Sequence, residues 1–314
     1  MLHQRELIWE EAVLAVLKDQ FGEITRRQVH QTWGDRLVVE ATTSRFPKGL
    51  VLKASAERSV QVEAQVATCA RQAGLPVPEI LAEGRDDRLP GRDWFVMRRA
   101  DGQPWESMPQ SDAQRSRTLD DIGRAFVLLH GVKMRGYGPL TADLGGRDPS
   151  WASWLRAELR MCSQPLLQAG YLPTDFLSMT DGLLESLGPT LADVPPSLLH
   201  GDLGDREIFV DPDSGEVTAI VDWGDALSGD PLYDFARFVA GGPVDDERPA
   251  RYRPGVKRAY ARESGCDPAA LETNTSYLYE LHNAVRNAFW SVQHEPSWIP
   301  GLCTYALSMA GRLR

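Results

Sequence analysis

Carboxylates crowd the stretch from His200 to Asp234: Asp202, Asp205, Glu207, Asp211, Asp213, Glu216, Asp222, Asp225, Asp230 and Asp234, interleaved with short apolar runs. Their neighbours sort them. Asp211-Pro212-Asp213-Ser214-Gly215-Glu216 is ordinary turn chemistry, so its acids read as a solvated surface. Asp202 and Asp222 differ. Each is flanked by apolar strand residues and a Gly or Trp, where an unpaired acid is costly. A carboxylate at a strand end is held rigidly at a sheet edge. Two such groups facing one cleft repel each other unless a cation joins them. Hard oxygen ligands in an open cleft suit Mg2+, which keeps waters and shares substrate phosphates.

The elements that must position these acids are legible in outline. The first 22 residues read as an amphipathic helix, mixing Glu10, Glu11 and Lys18 with Leu7, Val13 and Leu17. Alternating and β-branched residues predict strands between Arg26 and Ala54, split by Pro47 and Gly49. Val62, Val66, Cys69 and Ala73 predict a helix over about 56–73, stopped by Gly74, Pro76 and Pro78. A hairpin-like stretch ends in the strand 93–98, and the pattern breaks at Ala100. A helix over about 112–130 follows, its stripe Leu119, Ile122, Phe126 and Leu129, and a turn at 136–139. Further helical patterns lie at 154–159 and 183–187. Short strands begin at Ser197, Ile208 and Val217, and the chain reads as helix from Asp230 onward. The expectation is an α+β fold of two lobes: a small β-rich lobe over 1–99 and a larger, mainly helical lobe over 100–314.

Composition excludes several classes. The 314 residues include 34 Lys+Arg against 44 Asp+Glu, a formal net charge of −10. That acidity argues against a nucleic-acid binder, which needs a positive face. A hydrophobic fraction of 42% is that of a globular chain with a core. Cys69, Cys162, Cys266 and Cys303 form no C-x-x-C pair and suit reduced thiols better than disulfides or zinc. No uninterrupted apolar run suggests a secretory signal or a membrane span. The expected setting is cytoplasmic, as a monomer or homodimer. There is no G-x-x-x-x-G-K-[ST], no G-x-G-x-x-G and no H-E-x-x-H.

Three motifs in order, His200-Gly201-Asp202, Ile220-Val221-Asp222-Trp223 and Gly229-Asp230-Pro231 followed by Asp234, resemble the aminoglycoside phosphotransferase family. This is the small-molecule branch of the protein-kinase-like fold, which also includes choline kinases. Matching features extend from about Lys53 to Phe238. The resemblance implies transfer of the γ-phosphoryl group of ATP or GTP, with Mg2+, to a hydroxyl of a small molecule. It makes Asp202 the catalytic residue that orients the acceptor hydroxyl, and Asp222 a Mg2+ ligand. It makes Lys53, ending the strand 50–53, the phosphate-binding lysine, and Glu63 its partner. Val96, Met97 and Arg98 fall in the hinge expected to meet the base through backbone groups. His200 is expected to hold the loop rather than act as acid or base. Asp230-Pro231 reads as a helix N-cap with proline at the first helical position, and Asp234 as a brace for the loop.

Two departures stand out. Glu207 occupies the position, five residues after Asp202, where the family carries an Asn as second metal ligand. The glycine-rich nucleotide loop has only one candidate, Gln31-Thr32-Trp33-Gly34-Asp35. The acceptor pocket is expected in the C-terminal part, from His282, Arg286, Asn287 and Trp290, with Asp245-Asp246-Glu247 available as an acidic rim. His282 and Arg286 stand four residues apart on one helix face. Trp223-Gly224-Asp225-Ala226 is most similar to antibiotic kinases of the hygromycin and nucleoside-antibiotic types, which implies antibiotic resistance. A metabolic kinase on a choline-, homoserine- or sugar-like alcohol, and a non-catalytic nucleotide-binding protein, are the alternatives.

Overall fold

The alternation in Arg36–Thr43, one side chain buried and the next half-exposed, makes a strand with one face on a core. The computed structural model containing it describes residues 2–31, 36–57, 59–237 and 248–313. The loop candidate at 32–35 and the acidic rim Asp245-Asp246-Glu247 lie outside the described residues. In chain order the elements are α1 (Leu2–Phe21), β1 (Ile24–Gln31), β2 (Arg36–Thr43), β3 (Leu50–Ser55), α2 (Val60–Gln72), β4 (Ile80–Arg85), β5 (Asp93–Arg98), β6 (Gln103–Pro104), α3 (Asp112–Gly131), β7 (Tyr137–Leu140) and β8 (Gly146–Asp148). There follow α4 (Trp151–Gln168), α5 (Phe176–Ser186), α6 (Gly188–Ala192), β9 (Ser197–Leu199), β10 (Ile208–Val210), β11 (Val217–Ile220), β12 (Leu227–Gly229), α7 (Leu232–Arg237), α8 (Arg248–Ser264), α9 (Asn274–His294) and α10 (Ile299–Arg312).

The chain divides into two compact units: residues 1–103 with 218–224, and residues 104–217 with 225–314. The sequence reading makes one cut at 99/100. The short segment carrying Asp222 instead returns to the first unit, because it is hydrogen-bonded there. Ile220 N donates to Pro76 O at 2.7 Å, and Thr218 Oγ1 donates to Asp101 O at 2.5 Å.

The first unit is built on an antiparallel five-stranded sheet, ordered β1-β2-β3-β5-β4. Ala12, Val13, Leu17 and Phe21 of α1 pack with Leu37, Val39, Leu50, Leu52, Ala54, Trp94 and Val96. Each such Leu or Val contributes about 1.5–3 kcal/mol on burial. Strand alternation sends Phe95 the other way, onto Val60 and Ala64 of α2. Helix α2 starts later than its periodicity suggests. Ser59 caps it by accepting from Val62 N, while Glu57 N turns back onto Ser55 Oγ.

The core of the second unit gathers α4, α9 and α10 around Trp151, Leu155, Tyr233, Tyr279, Leu281, Val285 and Leu302. Trp151 stacks on Trp154 with centroids 4.6 Å apart and meets Tyr233 edge-on at 5.4 Å. A four-stranded sheet, β8-β7-β12-β9, lies beside it. The turn expected at 136–139 is strand β7, paired with both β8 and β12. Its glycine signal arises instead from close approach, since a Cβ on Gly138 would stand 2.7 Å from Trp154 Cδ1. Helix α3 begins with a capping box, Ser111 with Gln114, and packs on α8 at Gly123, where a Cβ would meet Ala259 at 2.4 Å.

Candidate active site

In the first unit, β3 pairs with β2 and β5, placing Lys53 opposite Val38 and Phe95. Period-two alternation puts Lys53 on the face opposite Leu52, the face that α2 covers. Glu63, in the first turn of α2, is buried there. Lys53 Nζ donates to Glu63 Oε1 and to Asp222 Oδ1, both at 2.6 Å. Burial opposes the ammonium charge, but Glu63 and then Asp222 outweigh it and hold the lysine above its ordinary value. Asp222 adopts a left-handed backbone, φ +63°, a conformation Asp tolerates better than most residues. Trp223, buried, anchors the turn by donating its indole N–H to Ile220 O at 3.2 Å. The Asp222 side chain is 43% exposed, so one of the lysine's two carboxylate partners faces solvent and the other does not.

Val96, Met97 and Arg98 all lie in β5, between β3 and β4. Val96 is buried in the core, opposite Leu52 and Ala82. Arg98 N donates to Glu79 O, and Arg99 N to Gly49 O. The ladder and these two bonds engage backbone groups of the expected hinge.

In the second unit, β9 delivers His200-Gly201-Asp202. Asp234, fully buried on α7, accepts His200 N at 2.9 Å on Oδ2 and Gly201 N at 2.8 Å on Oδ1. His130 Nε2 lies 3.2 Å from Oδ2. The brace expected of Asp234 is present, and His200 is buried within the loop. Asp230 Oδ1 accepts Leu232 N at 2.9 Å and Oδ2 accepts the Tyr279 hydroxyl at 2.6 Å, so it caps α7 and ties it to α9. Burial pushes its carboxyl above the usual range, partly offset by those two donors. Glu207 Oε2 accepts Gly204 N at 2.9 Å, curling back onto the loop. Asp211 makes the turn its sequence implies, accepting from Asp213 N, Ser214 N and Ser214 Oγ, and Glu216 pairs with Arg117 at 2.6 Å.

The acceptor candidates on α9 separate. His282 is buried between Trp154 and Tyr233, its Nδ1 3.0 Å from the Tyr233 hydroxyl. Burial, then the nearby Arg286 charge, push its pKa down to about 3. With 1% of its surface exposed, His282 packs among aromatic rings and offers an acceptor almost no surface. Arg286, one turn on, donates to Asp225 Oδ1 at 2.7 Å, with Glu158 Oε1 3.9 Å from Nε. Asn287 is half-buried, and Trp290 is partly exposed beside His294 and Trp298. Asp225 stands in the acid-rich stretch and in the Trp223-Gly224-Asp225-Ala226 motif, but neither gives it Arg286 as a partner, and nothing in the sequence marks Glu158. Glu158 follows Trp154 by one helical turn, but nothing along the chain marks it as a partner of α9.

Among the described residues no group of three or more His, Cys, Asp or Glu is placed to hold a metal by itself. Asp222 fits the other arrangement, a half-exposed hard oxygen ligand for an ion that takes one or two carboxylates and completes its shell with water and phosphates. No helix among the described residues is long and apolar enough to cross a membrane.

A β-sheet unit with a buried lysine–glutamate pair, followed by a helical unit with a braced His-Gly-Asp loop, is the architecture of protein-kinase-like phosphotransferases. Aminoglycoside phosphotransferase APH(4)-Ia, in ternary complex with AMP-PNP and hygromycin B, matches with a TM-score of 0.72 at 19% identity, covering 96% of this chain and 98% of that one. The GDP complex of aminoglycoside 2'-phosphotransferase-IIIa matches with a TM-score of 0.65 at 14% identity, with the same coverage. These likenesses show the fold. Residues 25–271 match APH, the phosphotransferase enzyme family, and the chain belongs to it. Among curated proteins, hygromycin-B 4-O-kinase of Escherichia coli is 24% identical over 170 residues, 52% of this chain and 47% of that protein. Acyl-CoA dehydrogenase family member 11 of Gallus gallus is 29% identical over 170 residues, 20% of its length. The match thus spans about half of the first relative and a fifth of the second.

Proposed function

We propose that the protein moves the γ-phosphoryl group of ATP or GTP to a hydroxyl of a small molecule, an aminoglycoside-like or nucleoside antibiotic. The observation that carries this reading is Lys53 held at 2.6 Å from both Glu63 and Asp222. Phosphoryl transfer asks for positioning and charge neutralisation rather than covalent chemistry, and a lysine pre-placed beside an exposed acid meets that need. In this reading the first unit binds the nucleotide: Lys53 meets its phosphates, Glu63 fixes Lys53, and the 96–98 hinge faces the base. Asp222 holds Mg2+, which neutralises phosphate charge when bound. Glu207, at the position where the family carries its second metal-ligating Asn, is the second residue that would hold the ion, and its Oε2 accepts the Gly204 N–H. The second unit binds the acceptor, and Asp202 accepts the hydrogen bond of its hydroxyl. A carboxylate is a weak base toward an alcohol, so Asp202 orients the nucleophile and takes the proton late.

The relatives that act on hygromycin B support the antibiotic class of acceptor. A second reading, a nucleotide-binding protein without transfer, is favoured by the Glu207–Gly204 contact, which occupies part of the second metal ligand. One experiment separates them. The protein is incubated with Mg2+ and ATP or GTP against aminoglycosides, nucleoside antibiotics, macrolides and small metabolic alcohols, with mass-spectrometric readout and Asp202→Asn as control. The expected result is a phosphoryl mass gain on one class, slowed about 10²–10⁴-fold in the control. Bound nucleotide with no gain on any acceptor would select the second reading.

A further inference from the structure

The His200-Gly201-Asp202 loop is gripped on two sides within the second unit. Asp234 holds it through the N–H groups of His200 and Gly201. On the other side the backbone of Asp225 lies against Gly201: a Cβ there would stand 2.2 Å from the Asp225 carbonyl oxygen. Gly201 has φ +75°, so this position needs glycine for both conformation and space. Two residues on, Leu227 of β12 pairs with Leu199 of β9, continuing the same contact as a strand ladder.

Asp225 is itself held. Its carboxylate, 13% exposed, accepts from Arg286 Nη2 at 2.7 Å, and Arg286 also lies 3.9 Å from Glu158 of α4. A guanidinium is suited to such a place because its planar fork engages carboxylates at fixed angles. The preceding turn of α9 is anchored, because His282 is packed among Trp154 and Tyr233. Burial works against the guanidinium charge, but Asp225, Tyr233, Asp202 and Glu158 together hold it above its ordinary value. Asp202 is therefore within electrostatic reach of Arg286.

We propose that Arg286 is a positioning residue for phosphoryl transfer, clamping Asp225 against Gly201 and so fixing where Asp202 stands. The role rests on the phosphotransfer reading above, and it differs from direct contact with the acceptor. In that chain of contacts α9 sets the catalytic loop through one ion pair and one carbonyl–glycine approach.

The test uses the 314-residue chain and four variants: Arg286→Gln, Arg286→Lys, Asp225→Asn and the Arg286→Gln/Asp225→Asn double. Misplacing a reacting group by an ångström costs on the order of 10²-fold, so Arg286→Gln is expected to lower kcat about 30- to 100-fold, with nucleotide KM within about twofold. Arg286→Lys keeps the charge and recovers about tenfold of that loss. The double variant falls no lower than the worse single, because both remove the same link. Hydrogen exchange supplies a readout that needs no turnover: Arg286→Gln should speed exchange in peptides covering 199–204 and 225–229, and leave α10 unchanged. An unchanged kcat, a rise confined to acceptor KM, or exchange accelerated uniformly with a lower Tm would each overturn the proposal. If Arg286→Gln does not fold, Arg286→Lys and Asp225→Asn carry the same comparison. A wild-type protein that transfers to no acceptor sinks the phosphotransfer reading, while the exchange comparison still decides whether Arg286 holds the loop.

Discussion

The two compact units hold the lysine and the His-Gly-Asp loop by opposite means. In the first, Lys53 is held by side chains alone, one buried acid and one half-exposed acid. In the second, the His-Gly-Asp loop is held by its own backbone, two N–H groups donating to the buried Asp234. A side-chain ion pair with an exposed member can change partners when a phosphate arrives. A loop pinned by amide donors to a carboxylate with no exposed surface cannot move without breaking charge-assisted bonds. The first unit is thus arranged to accommodate a ligand, and the second to keep a geometry.

That contrast is sharpest at Asp234. Asp234→Ala strips the acceptor from two buried amides and from His130, and should destabilise the protein by about 3–5 kcal/mol in urea unfolding. A loss under 1 kcal/mol would mean the loop finds its own support. Glu63→Gln should act differently, because the half-exposed Asp222 still neutralises Lys53. We expect a loss of about 1–2 kcal/mol in stability, with a larger effect on nucleotide KM, read by titration with a fluorescent nucleotide analogue. If stability falls as far as in Asp234→Ala, the first unit is no more accommodating than the second.

The effect that is smallest at neutrality, where it vanishes, concerns pH. His282 has its pKa pushed down to about 3 in the folded protein, against an ordinary value near 6.5. A depressed folded value means the unfolded chain binds the proton first. The stability that neutral His282 permits is therefore complete above pH 6.5 and lost as pH falls toward 3. Its share of the acid slope is at most about 1.4 kcal/mol per pH unit. His282→Gln should flatten the stability–pH slope between pH 6 and 4 by up to that amount per pH unit, measured as the difference from wild type. Identical slopes would show that burial and the Arg286 charge do not keep the ring neutral.

Legibility followed sequence distance. The turn at Asp211 and the N-cap at Asp230 join residues two or three apart, where backbone geometry leaves few alternatives. The placement of Lys53 on a strand and of Glu63 on the next helix also follows from local periodicity. The β7 strand was hidden because its glycines, which answer to Trp154 and to neighbouring strands, look like a turn when read alone. His282 and Arg286 share a helix face by spacing, yet one is buried among aromatic rings and the other reaches an acid 61 residues away.

The amino-acid sequence by itself determined most of the elements in outline, the order of the motifs and the family, because these depend on residue type and short-range spacing. Tertiary structure alone decided that Asp222 returns to the first unit and meets a lysine 169 residues earlier. It also decided that Glu207 folds onto Gly204, and that Arg286 grips Asp225 rather than facing outward. Burial sets those partners: a charge withdrawn from water must find its opposite wherever packing brings one near, and no spacing along the chain encodes which one that will be.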